Sequence, residues 1–198
     1  MDSLIDIFCG KYGLEPEAVT DLLAQMDRVS FRRGDAVVRS GAFDDSLYVL
    51  ESGIWSGAKP TAFGEALVWF AFGGEAVADI FCYSAGRPSK ISIISETDSV
   101  AYRISKRRVD ALCASSLGIA NIIRKVFETN AYHFEDEVVW MADKENAGER
   151  YKALISDHPE LVLNVPLKRI ASYLWVTPQS LSRIRAEMAR AQVTHCKG

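Results

Sequence analysis

The pattern of apolar residues changes between residues 29 and 104, and this change limits the folds open to the chain. On either side, apolar residues recur at helical spacing, whereas within it short runs rich in Val, Ile, Phe, Tyr and Trp alternate with Gly, Ser, Asp and Pro. Strands spaced by about 8–12 residues are typical of an antiparallel sandwich or barrel. The pattern predicts about eight strands in a jelly-roll-like β-roll. The clearest runs are 29–31, 36–38, 46–50, 53–55, 66–70, 91–94 and 100–104.

Composition excludes several classes of protein. About half of the 198 residues are hydrophobic and a quarter are charged, as in ordinary globular domains. No apolar run reaches the roughly 20 residues of a membrane-spanning helix, and the N-terminus carries acids where a signal peptide needs bases. Cys9, Cys82, Cys113 and Cys196 form no CxxC pair. We therefore expect a cytoplasmic protein with free thiols and no membrane partner.

A long helix is predicted from about Ser116 to Lys144, because this stretch lacks proline and holds apolar residues at helical spacing. Six positions on it step by threes and fours like a coiled-coil seam. Such a stripe also fits a helix that packs on its own domain, but the length favours dimerisation. The proposed dimer residues are Ile119, Ile123, Phe127, Asn130, Phe134 and Met141.

Residues 167–190 read as two short amphipathic helices joined by a tight turn. Thr177 suits the N-cap of the second helix, and Pro178 suits its first position, where no N–H is needed. Leu181, Ile184 and Met188 form the apolar side of that helix, while its other side is polar and carries arginines. This pattern predicts a helix-turn-helix with a second helix suited to the major groove of DNA.

Charge is distributed unevenly along the chain. Residues 147–198 hold eight Lys and Arg against four Asp and Glu, a balance of +4, and the first 146 residues balance at −7. A basic end on an acidic body is expected when only that end faces phosphate. Residues 146–148, Asn-Ala-Gly, interrupt the helical pattern just before the basic end. We therefore expect three parts: a sensor domain at 1–115, a dimerisation helix and hinge at 116–146, and a DNA-binding domain at 147–198.

Several motifs in this order resemble the Crp/Fnr family of bacterial transcription regulators. Residues 31–35, FRRGD, look like the family's first hairpin, 47–53, LYVLESG, like its glycine-ended strand, and 170–184 like its DNA-reading element. The resemblance covers nearly the whole chain and is nearest to the shorter, divergent members of Bacteroidetes-type bacteria. It implies an α+β fold: a β-roll with flanking helices, a long dimerisation helix and a C-terminal helix-turn-helix. The family usually has a small turn residue at Trp175, and a β-hairpin wing after Arg190 is expected to be absent.

The resemblance implies an effector-modulated homodimer that binds double-stranded DNA, with RNA polymerase as a further partner. Arg183 matches the family's base-reading arginine, which would donate two hydrogen bonds to guanine. Gln179 matches its other main base contact. Positions suited to phosphates or bases complete the site. The DNA-binding set is Lys168, Arg169, Thr177, Pro178, Gln179, Ser180, Ser182, Arg183 and Arg185.

The effector site departs from the family pattern. Relatives that bind cyclic nucleotides use Gly-Glu and then Arg-Ser or Arg-Thr; here Gly74-Glu75 fits, but Pro88 follows Arg87 and removes a backbone donor. We therefore expect no cyclic AMP binding, and take Glu75, Arg87, Ser89 and Lys90 as pocket candidates for an unknown small molecule. Only Cys9 lies where the family's iron–sulfur branch needs a cysteine cluster, and no histidine lies in the roll to ligate haem. We expect no cofactor and no metal.

A β-roll of this size also occurs in enzymes and in ligand-binding regulatory modules. A cupin-type metal enzyme needs histidines inside the barrel, and residues 29–104 contain none, so we expect no catalytic site. The alternative is a regulatory module that binds a cyclic nucleotide or another small ligand and acts on a protein partner without binding DNA. The basic C-terminal end argues against it.

Overall fold

The computed structural model describes residues 3–62, 64–143 and 146–195. The predicted helix end at Lys144 and the thiol of Cys196 lie outside these residues. The elements of the N-terminal half are α1 (Leu4–Tyr12), α2 (Pro16–Leu23), β1 (Asp27–Phe31), β2 (Ala36–Val38), β3 (Ser46–Ser52), β4 (Ile54–Thr61), β5 (Gly64–Phe72), β6 (Ala76–Ala78), α3 (Ile80–Tyr83), β7 (Ser92–Ser95) and β8 (Ser99–Ser105). They are followed by α4 (Lys106–Ser115), α5 (Leu117–Asp143), α6 (Ala147–Asp157), α7 (Pro159–Asn164), α8 (Leu167–Tyr173) and α9 (Pro178–His195).

The eight strands form two four-stranded antiparallel sheets that face each other. One has the order β1-β8-β3-β6 and the other β2-β7-β4-β5. The predicted fold class, α+β with an N-terminal β-roll and a long helix, is confirmed. Strand β6 was not among the predicted runs, because three small residues carry little alternation. The β4–β5 hairpin is longer than predicted, and β5 is an edge strand of its sheet.

Trp55 fills the interior of the roll and is fully buried. Its indole N–H donates to the Ser99 hydroxyl at 2.8 Å, so its single polar atom is satisfied. The rings of Phe31 and Tyr48 meet the indole edge-on, with centroids 5.4 and 5.3 Å away. Gly53, between β3 and β4, has φ of +100°, and a Cβ there would lie 2.5 Å from the Ser99 Cβ. Only glycine suits that turn.

The first half of α5 packs on the roll together with α1, α2 and α4. Asn130 fixes this contact, since its amide donates to the Ala76 carbonyl at 3.0 Å and accepts from the Tyr12 hydroxyl at 3.1 Å. The same hydroxyl accepts from the Ala76 N–H at 2.9 Å. Asn130, a polar residue on an otherwise apolar stripe, therefore makes these hydrogen bonds within its own chain.

Most of the predicted dimer residues face the chain's own domain. Ile119, Ile123 and Phe127 pack against the core shared by the helices and the roll, and Met141 is also buried. The stripe is apolar because the helix must bury one side on its own domain, and only Phe134 of the predicted set is largely exposed. The exposed apolar residues of α5 are Leu117, Tyr132, Phe134, Val138 and Val139.

The C-terminal part is more helical than predicted. Asn146 caps α6, accepting the Glu149 N–H at 3.0 Å, so the predicted interruption at Ala147 and Gly148 is wrong and both residues are helical. A further helix, α7, occupies residues 159–164; Pro159 starts it, since the first position needs no N–H. Residues 191–195 continue α9.

Candidate nucleic-acid interface and adjoining cleft

Helices α8 and α9 form a pair joined by the turn at residues 174–177. Their facing sides are apolar and close-packed, which fixes the angle of α9 relative to the rest of the chain. The α9 residue at the centre of this contact, Leu181, is fully buried, and Ile184 and Met188 are partly buried beside it. The other buried residues of the pair are Ile170, Ala171, Tyr173 and Leu174.

The start of α9 is capped as its sequence predicts. The Thr177 hydroxyl accepts the Ser180 N–H at 3.1 Å and donates to the Ser180 hydroxyl at 3.0 Å. Pro178 occupies the first helical position, where its missing N–H leaves no bond unmade. The N–H groups of Ser180 and Leu181 are bonded to Thr177, which leaves the Gln179 N–H of the first turn for an anion at this helix N-terminus.

The outward side of α9 is polar and open. Gln179, Ser182, Arg183 and Arg185 are exposed, whereas Ser180 is half-buried by its contact with the cap. The Arg183 Nε lies 4.0 Å from the Glu187 carboxylate, and both side chains are mostly exposed, so the pair holds the arginine weakly. Four of the nine predicted DNA-binding residues therefore share one accessible helix surface.

The two neighbouring basic residues of α8 that were predicted to contact phosphate point in different directions. Lys168 is exposed. Arg169 instead turns to the β-roll: its Nε lies 2.5 Å from the Glu96 carboxylate and its two terminal nitrogens lie 2.8 Å from the Glu65 carboxylate and 2.7 Å from the Ser56 hydroxyl. The structure thus places Arg169 away from the outward side of α9.

Trp175 stands in the turn with φ of +58°. A left-handed backbone is costly for any residue with a Cβ, and the indole is 74% exposed. The indole therefore does not pack over the helix pair. The turn keeps the left-handed conformation that glycine would adopt, and tryptophan adopts it at a cost.

A cleft of about 1080 Å³ opens between the roll, α5 and the C-terminal helices. Its walls are mainly apolar and aromatic, with lysines and acids between them. The sequence did not indicate this wall, because its members come from β5, α5 and the C-terminal helices, which are far apart in the chain. The wall residues that matter below are Phe70, Phe72, Glu137, Trp140, His158 and Tyr173.

The four predicted pocket residues do not converge on the cleft. Glu75 lines it, but its carboxylate accepts from Lys11 at 2.5 Å and from the Phe72 N–H at 3.2 Å. Lys90 also lines it, with its ammonium 5.3 Å from the centre of the Phe81 ring. Ser89 is buried, and its hydroxyl lies within hydrogen-bonding distance of the Asp79 carboxylate and, at 2.7 Å, of the Ile91 carbonyl. Arg87 is exposed in the loop after α3.

Among the cleft-wall residues, Glu137 of α5 has a carboxyl group with a shifted pKa. Burial, with a smaller contribution from the charge of Glu75, raises its pKa to about 7. The carboxylate accepts a hydrogen bond from the Tyr173 hydroxyl. Protonation of the Glu137 carboxylate therefore changes the hydrogen bond that joins α5 to Tyr173 of α8.

The described residues contain no group of three or more His, Cys, Asp and Glu side chains placed to hold a metal ion. Among the helices described for residues 3–195, none combines the length and the hydropathy needed to cross a membrane.

Residues 28–116 match the family model of the cyclic nucleotide-binding domain. No curated protein matches the sequence. Among solved structures, FixK2 from Bradyrhizobium japonicum is similar with a TM-score of 0.70 and 16% identity, over 84% of this chain and 86% of that one. The c-di-GMP-responsive global regulator CLP from Xanthomonas campestris has a TM-score of 0.68 and 15% identity, over 90% and 93%. The Thermus thermophilus catabolite activator protein has a TM-score of 0.54 and 17% identity, over 91% of this chain and 86% of that one. At these identities the likeness establishes the fold.

Proposed function

We propose that the chain is a DNA-binding transcription regulator of the Crp/Fnr type, acting as a homodimer. The observation that carries the proposal is the exposed side of α9, where a capped N-terminus, an amide, a hydroxyl and two arginines face solvent above a buried apolar side. A helix-turn-helix presents such a surface to the major groove. The fold shared with CLP, a protein described as a global regulator, supports the same conclusion.

Within this proposal the residues divide by chemistry. Arg183 donates two hydrogen bonds to guanine, and Gln179 pairs with adenine. Ser182, Arg185 and Lys168 contact phosphates or bases, and the Gln179 N–H at the capped helix N-terminus donates to a phosphate. A two-fold pair would place two copies of α9 about 34 Å apart on a palindromic site. RNA polymerase is the further partner that such a regulator would contact.

Dimerisation through α5 is part of the proposal. Its distal half leaves Phe134 and Val138 exposed one turn apart, and Tyr132 and Val139 exposed two turns apart on another side of the helix. Large exposed apolar side chains of this kind mark interaction surfaces. The proximal half is already buried on its own domain, so the dimer contact is shifted toward the C-terminal half of the helix. Movement of the DNA-binding part at the junction of α5 and α6, next to Asn146, would then alter the separation of the two α9 helices.

The effector proposed for the cleft is not cyclic AMP. The carboxylate of Glu75 is taken by Lys11, Pro88 removes a backbone donor, and Ser89 faces the interior. Neither the ribose nor the cyclic phosphate would find its usual partners. The apolar wall suits a ligand with a large apolar or aromatic part. Calorimetry with cyclic AMP and cyclic GMP should show no binding at micromolar concentration, and heat of binding for either would contradict this part.

Selection of DNA from a random pool by the pure protein tests the main proposal. We expect an enriched palindromic sequence at moderate salt, and loss of enrichment with Arg183→Gln. The matched control is Arg107→Gln on α4, which removes an exposed arginine of the roll domain. Failure to enrich any sequence would overturn the proposal.

A second candidate is a ligand-binding module that acts on a protein without DNA. It is favoured by the match of residues 28–116 to a ligand-binding domain. Retention of ligand binding together with an absence of DNA selection would separate it from the first.

A further inference from the structure

Helix α8 covers the open edge of strand β5. The Ser172 hydroxyl accepts the Leu67 N–H at 3.1 Å and donates to the Glu65 carbonyl at 2.9 Å. One serine thus supplies both the acceptor and the donor that a neighbouring strand would offer to an edge strand. The C-terminal helix pair is docked on the roll by specific polar contacts.

The same side of α8 carries the other docking contacts. Arg169, Ser172 and Tyr173 are three and four residues apart and therefore lie on one helix face. The Tyr173 ring meets Phe70 of β5 edge-on, with centroids 5.1 Å apart. Nearby, His158 stacks on Phe72 with centroids 4.0 Å apart. Apolar residues of β4 and β5 share one core cluster with the C-terminal helices.

Arg169 supplies the charged part of this contact. Its side chain is 20% exposed, and that of its partner Glu96 is 5% exposed. Glu96 also accepts from the Ser56 hydroxyl at 2.5 Å, so the carboxylate, the hydroxyl and the guanidinium form one buried network. A buried carboxylate that loses its cation is left unfavourably charged. The roll therefore holds α8 most firmly while Arg169 stays in place.

We infer that Arg169 is a latch, with Glu96, Glu65 and Ser56 as its seat, that holds the helix pair on the β-roll and excludes DNA binding while closed. The inference rests on the proposed function. A guanidinium has five N–H donors; here each of its three nitrogens donates to an acceptor of the roll, and the side chain is only 20% exposed. A phosphate must therefore displace these contacts to bind it. DNA competes with the seat for the same cation. The seat mimics phosphate, offering two carboxylates and a hydroxyl.

The cleft gives the latch a route to control. Phe70, Phe72, His158 and Tyr173 belong both to the docking contact and to the cleft wall. Release of α8 from the roll would carry Tyr173 away from the Phe70 side of the cleft wall. A molecule bound in the cleft then has different affinities for the latched and released states, which is the requirement for a shift of population.

The test removes the seat and leaves every proposed DNA contact intact. Glu96→Gln keeps the volume of the side chain and removes its charge, and Glu65→Gln does the same at a side chain that is 46% exposed and does not support the core. The matched control is Glu51→Gln on the other sheet, which removes a carboxylate paired with Arg28 at 2.7 Å. Two readouts are used: hydrogen exchange of the Leu67 amide without DNA, and affinity for the selected DNA.

We expect Glu96→Gln to speed exchange at Leu67 and to bind DNA about tenfold more tightly, equivalent to about 1.4 kcal/mol. Glu65→Gln should give a smaller change of the same sign, and Glu51→Gln none. Faster exchange with unchanged DNA affinity would overturn the exclusion of DNA by the latch. Unchanged exchange in both seat variants would overturn the latch itself. If no form of the protein selects DNA, the proposed function fails, and the exchange result alone then decides whether Arg169 fixes the docking.

Discussion

The Tyr173 hydroxyl donates a hydrogen bond to the Glu137 carboxylate, joining the helix before the turn to the long helix α5. Glu137 lies in the cleft wall, where burial raises its pKa to about 7. This one contact therefore connects the cleft, the long helix and the proposed DNA-binding unit. Its strength changes with protonation of a single carboxyl.

Stability is expected to fall as the pH rises through 7. A carboxyl whose pKa is raised by folding binds its proton more tightly in the folded chain. Its contribution is complete below the ordinary value of 4.5 and is lost as the pH passes about 7. The side chain is partly exposed, so we expect a loss of about 1–2 kcal/mol. Urea unfolding at about pH 5.5 and about pH 8 measures it.

The control for the pH effect is Glu137→Gln, which has the same shape and cannot ionise. His133 and His158 line the same cleft, so only the difference between the wild type and this variant reports on Glu137. The variant should lose much of the decline in stability between the two pH values. Equal declines in both proteins would show that Glu137 does not govern the effect.

Replacing Trp175 by glycine is expected to stabilise the protein. Its φ of +58° costs a residue with a Cβ about 1–2 kcal/mol. Glycine adopts this conformation freely but loses more entropy on folding, so the net gain should be about 0.5–1 kcal/mol. Trp175→Ala keeps the unfavourable backbone and should show no gain. A loss of stability with glycine as large as with alanine would mean that the indole makes a stabilising contact.

Substitutions of Arg183 and of Lys168 should weaken DNA binding in different ways. Arg183→Gln removes a base contact and should reduce discrimination at one position of the site by about 1–3 kcal/mol. Lys168→Gln removes a phosphate contact and should weaken all sequences alike. It should lower the slope of log K against log salt by about 0.9 for each lost contact. Identical effects of the two substitutions would contradict these roles.

The fold could be predicted from local patterns, since each of its elements has its own signature. The change from alternating to helical spacing near Ser105 predicted the boundary between the roll and α4, and Ser105 caps that helix. Thr177 and Pro178 predicted the start of α9. Strand β6 and helix α7 escaped prediction because three and six residues carry too little periodicity.

The partners of individual polar and charged side chains could not be predicted from the sequence. Arg169 has the spacing of a phosphate contact, and its partner Glu96 is 73 residues earlier with nothing in either segment to relate them. Asn130 lies on a stripe whose length favoured a dimer seam over an internal contact, yet its side chain bonds to Tyr12, more than a hundred residues earlier in the chain. Such pairings follow from how the strands and helices pack together. Local sequence spacing does not record them.

The distal half of α5 is expected to hold the dimer together. Val138 and Val139 are each 53% exposed, so replacing Val138 by glutamate leaves the folded chain undisturbed but puts a charge into an apolar interface. We expect the dissociation constant of the dimer to rise at least about tenfold, equivalent to about 1.4 kcal/mol, as measured by sedimentation. Asn121→Glu, at an exposed position in the proximal half of the same helix, is the matched control and should leave the dimer intact. A dimer that survives Val138→Glu but dissociates with Asn121→Glu would place the interface on the proximal half instead.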